Sequence, residues 1–328
     1  MDASKSNSAM KWATFKTMTQ RHAKITIHTK EAGTRLDTWL AARFTYHTLG
    51  EWLVLIQTQR LLVNGVPCQP DYFLCTGDEV AYHPVSLAEP DVSRDIQVLY
   101  EDDILMAINK PPNLPCHPAG RYFKNTLLTI LRDTCPEARL VNRLDRETSG
   151  VILIAKNKRT TGKLGRQFER RQVTKEYQVL VEGDFPDQLT AEGILAVDNN
   201  SPVIKKRIFQ WEGEGETSST QFRRLACQSG LSLVHVLLGT GRMHQIRATL
   251  CSLGYPVVGD KIYGLDETIF VRMVNNHMTE QDQVTLRLPH QALHAWRLTI
   301  RHPVKQEDMT FEAPLPKDIQ QLLKEAGM

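Results

Sequence analysis

The stretch Leu140-Val141-Asn142-Arg143-Leu144-Asp145-Arg146-Glu147-Thr148-Ser149-Gly150-Val151 sets two arginines and two carboxylates within five residues. An apolar pair leads in, and the strand-forming run Val151–Ala155 leads out. Thr148-Ser149-Gly150 makes a tight turn into that run. Asp145 therefore sits on a loop held by a rigid element, where active residues are often placed. Arg143 and Arg146 flank it, and nearby cations keep a carboxylate ionised, as a nucleophile or base requires. Composition alone favours a plainer reading, a salt-bridged loop. The two carboxylates also admit glycosidase-like hydrolysis, but two positions apart on a loop Asp145 and Glu147 need not face one pocket.

Two further clusters carry chemistry. In Gly239-Thr240-Gly241-Arg242-Met243-His244-Gln245-Ile246-Arg247-Ala248, a strand at Leu231–Leu238 turns through two glycines into a helix expected over Met243–Ser252. Arg242, His244 and Arg247 gather at its start, where free N–H groups already attract anions; an ordinary helix cap would look the same. Val173–Val181 holds Lys175-Glu176-Tyr177 ahead of an apolar strand, and a lone Tyr in a strand is more often core. Eight basic residues between Lys156 and Tyr177 face two acidic ones, Glu169 and Glu176, a net +6 that suits phosphate contact. Lys205-Lys206-Arg207 and Arg223-Arg224 add to it. Competing chemistries lack their signatures. There is no GxGxxG or GxxxxGK[ST] loop, so no nucleotide cofactor is expected, and no GxSxG elbow. His290 and His294 lack the neighbouring Glu of a zinc protease and lie by an expected strand, so no metal is expected.

These groups need a scaffold. Pro84–Asp95 reads as a linker between two units, with a flexible basic tail over 1–24. In the first unit, 25–83, Thr34 is expected to cap a helix bearing Leu36, Trp39, Leu40 and Phe44, followed by a helix at Leu49–Gln59. Leu61–Val66 turns at Asn64-Gly65 into a tight hairpin. From Ile96 onward short strands predominate, at Ile104–Ile108, Val151–Ala155, Tyr177–Val181, Leu231–Leu238 and Ala292–Ile300. Helices are expected at Thr126–Arg132, Thr160–Arg170, Met243–Ser252 and Asp318–Ala326. This pattern predicts an α+β protein, with a mixed, mainly antiparallel central sheet flanked by helices and a small N-terminal α/β module.

Composition excludes other classes. The chain has 328 residues, 41% hydrophobic and 23% charged, with a net charge of +3, so it is neither disordered nor fibrous. No apolar run is long enough for a membrane span, and no secretory signal is expected at the start. Six cysteines without a CxxC pair point to a reducing, cytoplasmic setting.

The string Arg143-Leu144-Asp145-Arg146-Glu147-Thr148-Ser149-Gly150 is similar to the catalytic signature of the RluA family of RNA pseudouridine synthases. That family reads His-Arg-Leu-Asp, two residues, then Thr-Ser-Gly; Asn142 replaces the His here. Gly241-Arg242-Met243-His244-Gln245-Ile246-Arg247 resembles its Gly-Arg-Thr/Ser-His-Gln-Ile/Leu-Arg string, and Lys175-Glu176-Tyr177 its tyrosine motif. Ile108–Pro112 with His117-Pro118, Val258–Gly264, and Leu293–Ala295 with His302-Pro303 also match. The resemblance runs from about Val98 to Pro316. The first unit resembles the alpha-L RNA-binding module in Arg35-Leu36-Asp37, Val63-Asn64-Gly65 and Gly77–Val80. Its second helix, though, holds only Glu51 as a charge, where that family carries basic residues. A catalytic domain over 96–328 joined to such a module is similar to the large-subunit ribosomal RNA members, and other branches share it.

The resemblance implies an isomerase with the pseudouridine synthase fold, acting without a cofactor on specific uridines of ribosomal or transfer RNA; a monomer is the default expectation, on which the residues are silent. The base must leave its stack, at a cost of roughly a few kcal/mol. The bond from the sugar to ring nitrogen 1 breaks, the uracil turns, and the sugar rejoins at carbon 5. Arg143 would fill the vacated place or steady the flipped nucleotide. Asp145 would act as nucleophile or take the 2′ proton, Arg247 would pair with it, and Tyr177 would stack on the uracil and assist at carbon 5. Arg242, His244 and Gln245 would shape the pocket. The rival reading is a non-catalytic RNA-binding or ribosome-assembly protein on the same scaffold.

Overall fold

A computed structural model of the chain describes residues 23–44, 47–82, 89–120, 122–203 and 205–328. Residues 1–22 of the expected basic tail and 84–88 of the expected linker lie outside the described residues. The described chain falls into two units. The smaller runs up to Pro90 and also takes Ala119–Lys124, a segment expected in the other unit, whose Phe123 and Lys124 N–H groups bond the Glu89 carboxylate. The larger takes Asp91–Pro118 and Asn125–Met328.

The smaller unit contains β1 (Ala23–Thr26), α1 (Leu36–Arg43), α2 (Leu49–Gln57), β2 (Leu61–Val63), β3 (Val66–Pro67) and β4 (Glu79–Tyr82). Its sheet has the order β1-β4-β2-β3, and Trp39, Leu40, Trp52 and Ile56 pack beneath it. The hairpin turns where expected: Asn64 and Gly65 both adopt positive φ, as a two-residue turn of this hand demands. Thr34 does not cap α1, contrary to expectation. Arg35 holds the N-cap position without a side-chain bond, while the Thr34 carbonyl accepts from Leu74 N–H and its N–H reaches Glu31. Pairing of this segment with the strand-like Phe73 outcompetes the cap. Helix α2 does carry a capping box, between Thr48 and Glu51.

The larger unit runs β5 (Gln97–Glu101), β6 (Leu105–Lys110), α3 (Leu127–Arg132), β7 (Arg139–Leu140), β8 (Ser149–Ala155), α4 (Lys158–Glu169), β9 (Thr174–Glu182), β10 (Gln188–Val197), β11 (Arg207–Gln210), β12 (Glu216–Gln228) and β13 (Leu231–Leu238). It continues through α5 (Gln245–Ser252), α6 (Thr268–Val274), α7 (Glu280–Leu286), β14 (Leu293–Arg301), β15 (Asp308–Glu312) and α8 (Lys317–Glu325). One sheet has the order β11-β10-β12-β13-β9-β14-β8-β6-β5, with β15 beside β14 and β7 beside β8. Every pairing is antiparallel except β14 with β8. The expected mixed, mainly antiparallel α+β architecture is what forms.

Strand β8 is buried over its whole length, as its apolar run dictates. Its two faces are covered by different clusters: Ile152 and Ile154 pack on α3, and Val151 and Leu153 on Leu164 of α4. A third cluster joins β9, β10, β12 and β13 to Ile246 and Leu250 of α5. The ends of β8, β9, β13 and α5 are thereby held rigidly against one another, with burial contributing about 25 cal/mol per Å² of apolar surface. No helix among the described residues is long and apolar enough to cross a membrane, and the six cysteines are unpaired.

Candidate active site

The loop before β8 is fastened from below. Lys110, at the end of β6, is fully buried and donates its ammonium to the carbonyls of Pro111, Leu114 and Arg146 at 2.8, 3.0 and 3.0 Å. Burial pushes its pKa down to about 8, and nearby carboxylates oppose that fall. Cys116 and Leu144 exchange bonds, Sγ to O at 3.2 Å and N to Sγ at 3.4 Å. Asn142, where the family reads His, is a clamp: Nδ2 donates to the Val151 carbonyl at 3.3 Å and Oδ1 accepts from Leu153 N–H at 2.8 Å. Its amide thus ties the loop to β8. Gly150 has φ +113°, and a Cβ there would lie 2.2 Å from the Ala295 oxygen, so glycine is what lets β8 start against β14.

The second wall is the start of α5. His244 takes a left-handed conformation, φ 57°, so the helix begins at Gln245 rather than Met243. Gln245 is committed on both ends of its amide. Its Oε1 accepts from Thr240 Oγ1 and Arg242 N–H, and its Nε2 donates to Ser219 O and Thr220 Oγ1. It lines the cleft but is a staple for the Gly239–Arg242 turn, with no amide atom left over for a ligand. Arg242 reaches outward to the Thr217 carbonyl and Glu216.

Between the two walls lies a cleft of about 90 Å³. Arg143, Asp145, Tyr177, Arg242, His244, Gln245 and Arg247 all line it, over an apolar floor of Leu144, Leu238, Ile246 and Leu293. The structure thus brings together the seven residues to which the resemblance gives a role. Arg247 Nη1 donates to Asp145 Oδ2 at 2.9 Å. The same guanidinium grips Asp260 with Nε at 2.5 Å and Nη2 at 2.8 Å, a two-toothed contact that fixes its plane. Burial alone would raise the Asp260 carboxyl, but Arg247 and the N–H groups of Ile262 and Tyr263 hold it below the usual range. Burial alone would likewise lower the Arg247 guanidinium, and Asp260 and Asp145 hold it above its ordinary value. Tyr263 completes the cradle, its ring 4.8 Å from the guanidinium carbon. Asp260 and Tyr263 were not assigned roles from the sequence. Their signal was present only as the matched string Val258–Gly264.

Asp145 keeps one oxygen uncommitted. Its side chain is 34% exposed, and Oδ1 lies 3.9 Å from His244 Nε2, beyond hydrogen-bond reach. Burial and the Arg247 charge push the His244 pKa down, so its ring is neutral near pH 7. Burial, then the Asp145 charge, push the Tyr177 phenol above its ordinary value. Tyr177 is therefore a neutral phenol against the cleft. Arg143 is exposed and, among the described residues, has no hydrogen-bond or ion-pair partner.

Other expectations change. Glu147 does not join Asp145. It is 14% exposed and bonded to Arg146 at 2.6 Å and Lys261 at 2.8 Å, so Asp145 is the one carboxylate lining the cleft and the paired-acid hydrolase has no second acid. The basic stretch 156–175 is less free than its net charge implies. Lys156 pairs with Glu101, and Lys163 and Lys175 bond carbonyls of Pro303 and Thr240. Lys158, Arg159, Arg166, Arg170 and Arg171 remain exposed. His290 bonds Asp318, while His294 lies between Ser149 and the Ala313 carbonyl, so the two do not converge. No cluster among the described residues could hold a metal ion.

Comparison with known proteins shows the family. Residues 104–252 match the family described as RNA pseudouridylate synthase. The chain is similar to ribosomal large subunit pseudouridine synthase D of Buchnera aphidicola subsp. Acyrthosiphon pisum, 30% identical over 306 residues, 89% of this chain and 94% of that one. The Pseudomonas aeruginosa protein of that name is 31% identical over 316 residues, 93% of this chain and 95% of its own. The Nitrosomonas europaea one is 35% identical over 236 residues, 70% of this chain and 64% of its own. The solved human RNA pseudouridylate synthase domain containing 1 shares the fold, with a TM-score of 0.55 at 24% identity over 73% of this chain and 97% of that one. The chain belongs to the RNA pseudouridylate synthase family.

Proposed function

We propose that Asp145 is the catalytic carboxylate with which this pseudouridine synthase isomerises uridines of large-subunit ribosomal RNA. The observation that carries the reading is one aspartate oxygen held by Arg247 while the other faces an open cleft. Arg247 is aimed by buried Asp260, so the carboxylate meets an extruded nucleotide already oriented, and little reorganisation accompanies the reaction. The free oxygen either attacks the sugar or removes its 2′ proton as the bond to ring nitrogen 1 breaks. The uracil turns between Tyr177 and the apolar floor and is rejoined through carbon 5. The hydrogen leaving carbon 5 passes to solvent and ring nitrogen 1 takes up another, so atoms and electrons balance without a cofactor. Because Tyr177 is a neutral phenol, it supports the ring by stacking, and proton removal at carbon 5 falls to it only in concert with another acceptor. Arg143, exposed beside Asp145, supplies the contact that steadies the displaced strand.

The names borne by the long-matching relatives support large-subunit ribosomal RNA as the target. The catalytic domain is assigned to 96–328, and the module of 25–83 to a supporting RNA contact in the cytoplasm. The exposed arginines of α4 suit phosphates, which makes binding salt-dependent. Large-subunit RNA carrying tritium at uridine carbon 5 tests the reading: the protein should release tritium to water, and Asp145→Ala should release none while still binding. Binding without release by the unaltered chain would instead support the assembly-protein reading. Mapping carbodiimide-induced reverse-transcription stops with and without the gene identifies the positions.

A further inference from the structure

We infer that Tyr263 is a positioning residue whose hydroxyl fixes the tautomer of His244, so that His244 Nε2 presents an N–H to a ring carbonyl of the extruded uracil. This rests on the cleft at Asp145 being the reaction site. The argument is one of hydrogen-bond direction. The Tyr263 side chain is fully buried, and its oxygen accepts from the Arg207 backbone N–H at 2.8 Å. That N–H has no choice of role, so the phenolic hydrogen must go elsewhere. The acceptor within reach is His244 Nδ1, at 2.9 Å. Tyr263 therefore donates to Nδ1, and a neutral imidazole that accepts at Nδ1 must carry its hydrogen on Nε2.

Nε2 is the nitrogen on the cleft side, 3.9 Å from Asp145 Oδ1 and lining the same space. The left-handed backbone at His244 places the ring there, an uncommon conformation for a residue with a side chain. When the bond between the sugar and ring nitrogen 1 breaks, negative charge spreads onto the uracil carbonyls. A fixed neutral N–H facing that charge stabilises it without neutralising Asp145. With the other tautomer, a bare nitrogen would face both the carboxylate and the carbonyl.

The test uses the full chain labelled with nitrogen-15 in its histidine rings. In the RNA-free protein, His244 should show a protonated Nε2 and a bare Nδ1. Tyr263→Phe, which removes only the hydroxyl, should turn this into a mixture of both tautomers. In turnover, Tyr263→Phe should lower kcat about tenfold, the scale of one lost hydrogen bond, with KM for RNA unmoved. On a His244→Gln background, whose amide N–H needs no tautomer set, adding Tyr263→Phe should cost nothing further. An equal loss on both backgrounds would mean that the hydroxyl acts through its bond from the Arg207 N–H rather than through His244, and the inference fails. A protonated Nδ1 in the unaltered chain overturns it whatever the kinetics, and if the Gln variant is inactive the nitrogen spectrum decides alone. Turnover retained by Asp145→Ala would instead sink the reading of the cleft, leaving the tautomer result standing.

Discussion

Two regions of the larger unit hold an aspartate, a histidine and a tyrosine, and they are wired differently. At the turn between β5 and β6, Asp102 Oδ1 accepts from the N–H groups of Ile104 and Leu105, and Oδ2 from Tyr100 and His302. His302 is in turn fixed by the N–H groups of Val304 and Lys305 on Nδ1. Every polar atom there is answered, and the arrangement ties β5 to the turn after β14. At the cleft, Asp145 has one answered oxygen, Tyr177 has no hydrogen-bond partner among the described residues, and His244 turns its second nitrogen toward open space. The same residue types are structural where saturated and available for chemistry where not. Unmet hydrogen-bonding capacity beside a rigid ion pair marks the site better than residue identity does.

The sharpest way to break that contrast is to remove each carboxylate. Asp145→Ala should lower turnover by about 10⁴-fold or more, as loss of a nucleophile or its aligned partner does, with RNA affinity little changed. Tritium release and filter binding measure the two. Asp102→Asn should leave turnover intact, and a comparable loss there would erase the distinction. Next in size is Asp260→Asn. It leaves Arg247 buried with one carboxylate instead of two, and should destabilise the chain by about 3 kcal/mol in urea unfolding while also lowering turnover. A variant as stable as the parent would mean that the buried pair does not hold Arg247.

The contrast also explains how much could be read beforehand. The Asp145 loop and the start of α5 stood out because their residue types crowd within short strings, whereas Tyr177, alone in a strand, stood out only through the resemblance of Lys175-Glu176-Tyr177 to the tyrosine motif. Asp260 lies 13 residues beyond Arg247 and acts on it only through space, so the matched string Val258–Gly264 flagged its position without its role. Glu147 entered only as the second acid of the hydrolase alternative, and its burial against Lys261 could not be read because it depends on a residue 114 positions away. Strands β6, β8, β9, β13 and β14 were readable from apolar runs. Strands β10, β11, β12 and β15, and helices α6 and α7, were not anticipated. In β12 the core-facing positions include Ser218 and Thr220, small polar residues that hide the alternation. The helix expected from Met243 begins two residues later because a positive φ at His244 leaves no mark in composition.

The saturated cluster makes its own prediction with pH. Asp102 has its carboxyl pulled down to about 2 from 3.8, because bonds from two N–H groups, Tyr100 and His302 outweigh the effect of burial. The folded chain thus binds that proton more weakly than the unfolded chain. Above about pH 4 the stabilisation is complete, and it is lost as pH falls from 4 towards 2. Asp102→Asn should cost about 1–3 kcal/mol at neutral pH and flatten that acid limb of the stability curve, read by urea unfolding at successive pH values. An acid limb unchanged in the variant would show that other carboxylates govern it.

The smallest effect compares two cations. Arg143 stands exposed at the cleft without a partner among the described residues, whereas Lys305 beside the Asp102 cluster donates to the Tyr100 hydroxyl at 3.0 Å. An unanswered guanidinium beside an RNA site is free to meet a phosphate, and an answered ammonium already has its bond. Arg143→Ala should weaken RNA binding several-fold and reduce the slope of log affinity against log salt by about one. Lys305→Ala should leave both unchanged. Equal slopes for the two variants would mean that RNA does not distinguish the unsaturated end of the sheet from the saturated one, and the availability argument would then fail for cations even if it held for Asp145.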